Sequence, residues 1–183
     1  ENRFFIQEDP EAILMLELRA DSEVELQNMV SRLQETLKKS GLSYAAPVLY
    51  AEEIEMALDL RKAGLGLLGN IVGDKKAVAC IEDTAVALPV LANYIEEFSE
   101  IMKKYDQKAV YYAHAGAGEL HLRPILNLKK AEEVQLFRKI TEDVAHLVKK
   151  YNGSLSGEHG DGRLRAEFIE KMIGSHNYSL LKD

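Results

Sequence analysis

The feature that most constrains this chain is a pair of alternating runs, AVYYAH (Ala109 to His114) and ELHLRPI (Glu119 to Ile125). A small-residue link, Ala115-Gly116-Ala117-Gly118, joins them. Every second residue of a strand shares a face, and two such runs with a short glycine-bearing connection form an antiparallel hairpin. Alternation then sends Leu120 and Leu122 to one face, and Tyr112, His114, His121 and Arg123 to the other. The leucines mark the buried side, so the polar set looks toward a cleft or solvent. With the turn at Ala117-Gly118, His114 stands directly opposite His121 and Tyr112 opposite Arg123, with Cβ atoms about 4.5–5.5 Å apart.

The rest of the chain supplies the elements around this hairpin. AILMLEL (Ala12 to Leu18), APVLYA (Ala46 to Ala51) and AVACIED (Ala77 to Asp83) are short apolar runs that read as strands. A helix is expected after Asp21 and Ser22, with Val24, Leu26, Val30, Leu33 and Leu37 at helical spacing and Lys38, Lys39 and Gly41 at its end. EEIEMALDLRKAG begins acidic and ends basic, as a helix does. Further helices are expected over Leu88 to Tyr105, with Pro89 in the first turn, and over about Ala131 to Tyr151. The order implies an α+β fold of two ferredoxin-like βαβ-type halves, an antiparallel sheet with helices packed on one face. Residues 1–183 read as one domain, with a glycine-rich loop expected over Gly64 to Lys76 and a loosely anchored tail from Ile173.

Bulk properties exclude several functions. The 183 residues carry a net charge of −7, which disfavours a nucleic-acid surface, since that needs clustered Lys and Arg. A lone cysteine, Cys80, permits no internal disulfide and suits a reducing compartment, so a cytoplasmic protein is expected, peripheral to the inner membrane at most. No apolar run nears the ~20 residues of a transmembrane segment. The start, ENRFFIQEDP, has no initiator Met and no signal features, and is expected to be internal to a longer protein.

Gly64-Leu65-Gly66-Leu67-Leu68-Gly69 satisfies G-x-G-x-x-G, with Glu82 and Asp83 downstream. That pattern binds a dinucleotide only where it follows a strand and opens a helix. Here it follows a helix, and Gly64 sits where a glycine ends one.

Two imidazoles across a hairpin suit a divalent metal, whose bonds to His nitrogen are about 2.0–2.1 Å. The bland alternative is a pair of surface histidines beside a turn. A second loop, GSLSGEHGDGRLR (Gly153 to Arg165), sets Glu158, His159 and Asp161 between glycines. Glu158 can complete a two-His-one-carboxylate set with His114 and His121, leaving positions open for water or substrate. His159 beside it then serves as a general base. The alternative is a glycine turn with solvated charges. Arg61, at the end of a helix, either complements the helix dipole or reads a carboxylate. His146, His176 and Cys80 read as structural or solvated.

HAGAGELHLRP together with SGEHGDGR resembles the C-terminal, substrate-side domain of FAD-linked oxidases, the glycolate oxidase, D-lactate dehydrogenase and D-2-hydroxyglutarate dehydrogenase group. RKAGLGLL and GDKKAVACIEDTAV resemble the same domain in large bacterial members that carry iron–sulfur modules. The resemblance implies that a flavin-binding half precedes this domain in the same full-length chain. It places His114, His121 and Glu158 on a metal site (zinc, iron or manganese), His159 on the base and Arg61 on the arginine that reads the substrate carboxylate. The implied reaction oxidises a D-2-hydroxy acid to its 2-oxo acid with hydride transfer to FAD, and the isolated chain is expected to be inactive. The family pattern is departed from at Ala117 (usually Asp), Glu119 (Asn), Arg123 (Asn) and Ala87 (Pro). Arg123, on the histidine face, can bind a second carboxylate or a phosphate bidentately, and a dicarboxylic substrate such as 2-hydroxyglutarate is expected. The competing expectations are a stand-alone metal-dependent hydrolase using the same ligands, and a ferredoxin-like binding module with idle histidines.

Overall fold

Strand β4 (Glu119–Leu126) is laddered along both edges in the computed structural model, which describes residues 3–182. On one edge runs β3 (Ala109–His114), antiparallel. On the other run two short pieces, β1 (Lys76–Ala77), pairing with Leu126 and Ile125, and β2 (Ile81–Ala85), pairing with residues 119–122. The strand expected over Ala77 to Asp83 is thus interrupted, with Val78 still donating to the Pro124 carbonyl at 2.8 Å. Pro124 has no N–H to give, so only its carbonyl takes part in that edge.

The helices that pack on this sheet follow the sequence pattern. Leu88–Val90 makes a 3-10 turn that leads into α3 (Leu91–Lys104), and α4 spans Ala131–Lys150. Tyr94 and Phe98 of α3 and Ile140, Val144 and Val148 of α4 are fully buried in one cluster with Leu120, Leu122 and Leu126 of β4. The helices therefore cover the leucine face, and the histidine face is left for other work. Cys80 belongs to this core; burial pushes its thiol up to about 12, so it is a packing residue. The short helices α5 (Gly162–Arg165), α6 (Ile169–Ile173) and α7 (Ser175–Leu180) close the chain, and Phe168 among them joins the core.

The chain divides into two units, one up to Gly66 and the other, holding the sheet, from Leu67. The first unit contains α1 (Glu23–Ser40) and most of α2 (Glu52–Leu68). Ser22 caps α1 by accepting from the Glu25 N–H at 3.2 Å, and Gly41 ends it at φ 64°. Two expected strands, Ala12 to Leu18 and Ala46 to Ala51, form no ladder among the described residues, and Leu14 is 78% exposed. An apolar run becomes a strand only where its N–H and C=O groups find a partner strand. The α+β class holds, with one sheet among the described residues rather than a sheet in each half. α2 also continues past Gly64 and Gly66 to Leu68, since a helical glycine costs only about 1 kcal/mol. The G-x-G-x-x-G pattern therefore lies at the C-terminal end of a helix, not at the N-terminus of one.

The hairpin differs from expectation in register but not in face. The link is a 3-10 turn, Ala115–Ala117, closed by Gly118 at φ 74°, whose N–H donates to the Ala115 carbonyl at 3.1 Å. His114 therefore pairs with Glu119, and Tyr112 with His121. Val110, not Tyr112, lies opposite Arg123. The offset is two residues, one full period of the pleat, so each side chain keeps its face. His114 and His121 become diagonal neighbours.

Gly118 is fixed by contact as well as by φ, since a Cβ there would lie 2.0 Å from the Val86 carbonyl oxygen. Gly118→Ala should destabilise the sheet unit by about 2 kcal/mol or more in denaturant unfolding. Gly116→Ala, with nothing within 4 Å of its Cβ, should stay within about 0.5 kcal/mol of the parent.

Candidate metal and substrate site

Four segments meet on the face of β4 opposite the helices. β4 supplies Glu119, His121 and Arg123, and β3 supplies Tyr112 and His114. Glu82 of β2 lies directly across from His121. The loop after α4 runs along β2: Ser154 bridges to Ala85, and the Gly157 N–H donates to the Asp83 carbonyl at 2.7 Å. Gly157 suits this close approach, since a Cβ on it would already lie 3.2 Å from Glu119 Oε1. The next two residues, Glu158 and His159, then face His121.

His121, only 8% exposed, is the centre of the group. Its ring stacks on His159 (centroids 5.5 Å, planes 16° apart), meets His114 edge-on at 5.4 Å and lies 5.5 Å from Tyr112. Glu158 Oε1 is 3.6 Å from His121 Nε2 and 3.3 Å from His159 Nε2. Donors about 2.0–2.1 Å from a tetrahedral ion stand about 3.3 Å from one another. These separations, with imidazole and carboxylate donors, fit a divalent metal. Ligand atoms of Asp83, His121, Glu158 and His159 all lie within 4.8 Å of one another.

The charges of the site are set by burial and by hydrogen bonding. Burial lowers the His121 pKa, and nearby His114 lowers it further against the opposing pull of Glu158, which favours the neutral imidazole a metal requires. Burial raises Glu119, as do its contact with the Asp83 carboxylate and the charge of Glu158. Asp83 behaves in the opposite way. Burial alone would raise it, but hydrogen bonds from Ser156 Oγ and the N–H groups of Glu158 and His159 outweigh that and hold its carboxyl at about 2.

The expected site residues distribute as follows. His121, Glu158 and His159 come together. His114 stands beside them, exposed, outside the set of mutually close ligand atoms, so the expected base His159 lies nearer the other donors than the expected ligand His114. Arg123 is on the histidine face as expected, and it forms an ion pair with Glu82. Arg61 lies half-buried on α2, in the first unit. Three residues were not singled out for this site from the sequence. Glu82 binds Arg123 and places Oε1 4.0 Å from His159 Nδ1. Arg165, 5% exposed, donates to the Glu82 and Gly160 carbonyls at 2.8 and 2.7 Å. Asp83 is fully buried. The one signal for the acidic pair was Glu82-Asp83 itself, two adjacent charges inside an apolar strand.

A family model described as "FAD linked oxidases, C-terminal domain" matches residues 3–183. The chain belongs to this family. It is 42% identical over 120 residues to a D-2-hydroxyglutarate dehydrogenase of Haemophilus influenzae, covering 66% of this chain and 12% of that relative. To the D-2-hydroxyglutarate dehydrogenase of Escherichia coli it is 32% identical over 174 residues, 92% of this chain and 17% of the relative. To the glycolate oxidase subunit GlcD of Bacillus subtilis it is 24% identical over 149 residues, 81% of this chain and 31% of the relative. The chain thus spans well under half the length of these relatives. The family seen in HAGAGELHLRP and SGEHGDGR therefore extends over the first unit too. Among the described residues of this FAD-linked oxidase domain, no helix is long and apolar enough to cross a membrane.

Asp83 yields a pH prediction for the domain. Its carboxyl is depressed on folding from 3.8 to about 2, so its contribution is complete above about pH 4 and is lost as pH falls through 2. At about 1.4 kcal/mol per unit, that contribution is roughly 2 kcal/mol. Between pH 4.5 and 2 the parent domain should lose about 2 kcal/mol more stability than Asp83→Asn, measured by urea unfolding at each pH.

Proposed function

We propose that residues 1–183 form the C-terminal substrate and metal domain of a flavin-dependent dehydrogenase that oxidises a D-2-hydroxy acid to its 2-oxo acid. The observation that carries this reading is the meeting of His121, Glu158 and His159 on one sheet face, in a member of the FAD-linked oxidase family. His114, His121 and Glu158 would hold a divalent metal, zinc, iron or manganese. Such an ion supplies a Lewis acid for the hydroxyl and carboxylate oxygens, and a flavin supplies the acceptor for the hydride lost from C2. The flavin is held mainly by another part of the same longer polypeptide, in which an iron–sulfur module is a further partner.

His159 takes the hydroxyl proton. Its ring is 45% exposed, reachable by a substrate, and its Nδ1 lies 4.0 Å from the carboxylates of both Glu82 and Asp83. Those carboxylates stand where positive charge develops when the ring gains a proton. Arg61 is assigned to the carboxylate at C1. Arg123 reads a second carboxylate, which makes a dicarboxylic acid such as D-2-hydroxyglutarate the preferred substrate. Five guanidinium N–H donors let Arg123 keep Glu82 while it donates to that second carboxylate. Relatives named D-2-hydroxyglutarate dehydrogenase support this choice.

Metal-stripped full-length protein should regain about one divalent ion per chain. His114→Ala, His121→Ala and Glu158→Ala should each weaken binding by more than about 100-fold, beyond the 10–100-fold typical of residues outside the ligand shell. His159→Ala should keep the metal and lose turnover; loss of the ion in His159→Ala with retention in His114→Ala would instead make His159 the ligand. The isolated chain should show no turnover, including no hydrolysis, and hydrolytic activity would favour a stand-alone metal hydrolase. Arg123→Ala should raise KM for D-2-hydroxyglutarate about 10-fold or more, the scale of one charged hydrogen bond, and leave KM for D-lactate unchanged. If the enzyme uses both substrates and the substitution alters neither, the dicarboxylate assignment fails.

A further inference from the structure

Between Glu82, paired with His121, and Thr84, paired with Leu120, strand β2 carries one extra residue, Asp83. This is a β-bulge, and Asp83 occupies it at φ 100°, a conformation L side chains rarely adopt. The bulge sorts two neighbours. Thr84 turns into the core, where its hydroxyl accepts from Tyr94 Oη at 3.0 Å, while the Asp83 carboxylate turns to the loop after α4.

There one residue holds four in succession. Asp83 Oδ2 accepts from Ser156 Oγ at 2.7 Å and from the His159 N–H at 3.0 Å, and Oδ1 accepts from the Glu158 N–H at 2.9 Å. The Asp83 carbonyl accepts from the Gly157 N–H at 2.7 Å. Arg165 braces the arrangement, with Nη2 3.6 Å from Asp83 Oδ2 and with bonds to the carbonyls of Glu82 and Gly160 on either side. Asp83 lies close enough to the histidines to be a ligand by distance, but its two oxygens already accept three hydrogen bonds. A strained backbone held by so many partners marks a position whose geometry is used.

We propose that Asp83 is the positioning residue of this site: it touches neither metal nor substrate, and its carboxylate fixes Glu158 and His159 as a pair against His121. Metal affinity and proton transfer then both depend on a β2 side chain far from either residue in sequence. The proposal rests on the metal and base assignments given under Proposed function.

The test uses the full-length flavoprotein and Asp83→Asn, which keeps the shape and the tolerance of positive φ while removing the charge. Chelator competition should show zinc binding weakened 10–100-fold, the range for residues that orient ligands, and kcat should fall with little change in KM. On the residual turnover of His159→Ala at saturating zinc, Asp83→Asn should lower kcat no further, because residues acting through one another are not additive. A general structural defect would multiply the two losses, and that result overturns the proposal. Ser156→Ala, which removes one donor to the same carboxylate, should weaken zinc in the same sense and decides the matter if Asp83→Asn does not fold; unchanged zinc affinity in Ser156→Ala then overturns the proposal. Wild-type affinity and kcat in a folded Asp83→Asn overturns it alone. A wild type that takes up no zinc, iron or manganese overturns the metal assignment beneath it as well.

Discussion

Everything in the sheet unit depends on β4 being hydrogen-bonded along both edges. A strand so held cannot slip by a single residue without turning its leucines out of the core. Leu120, Leu122 and Leu126 are buried under α3 and α4, and this fixes Glu119, His121 and Arg123 on the opposite face. Core packing and site chemistry are two sides of one strand, and the rigidity of the first is available to the second. Ligands carried on a laddered strand are placed more tightly than ligands carried on a free loop.

The second half of the site does come from a loop, and this loop has been given the properties of an ordered element. Ser154 bridges to Ala85, Gly157 bonds to the Asp83 carbonyl, and the Asp83 carboxylate gathers the next two N–H groups. The result concentrates acid: Glu82, Asp83, Glu119 and Glu158 lie in one site, where Glu82 pairs with Arg123 and the buried Arg165 stands 3.6 Å from Asp83. Carboxylates crowded into a half-buried site repel one another unless a cation offsets them. The departure at Glu119 acquires a physical setting here. Its buried carboxyl packs against Gly157 and Asp83, under the loop.

Much of this was legible in the chain. Helical periodicity located α1, α3 and α4 closely, since each carries one apolar stripe, buried in α3 and α4 and mostly half-buried in α1. The face shared by Tyr112, His114, His121 and Arg123 followed from alternation alone, and it survived an error in register because the error was a whole pleat period. The register itself was not legible. Gly118 permits several turns, and the 3-10 turn is selected by the Val86 N–H, which donates to the Gly118 carbonyl at 2.9 Å from another segment. Ala12 to Leu18 and Ala46 to Ala51 misled for the same reason, since strand formation depends on partners that local sequence does not contain.

The sequence by itself determined which residue types could share a face, where helices start and stop, and that Glu158 and His159 sit in a loop built for close backbone approach. Those are properties of neighbours in the chain, governed by φ/ψ preference, side-chain period and capping. Only the tertiary structure decided that Asp83 holds that loop across more than 70 intervening residues, that Glu82 pairs with Arg123, and that His159 stacks on His121. The reason is physical: a carboxylate in a strand chooses its partners by burial and by the donors that packing brings to it, and neither is written in the residues beside it.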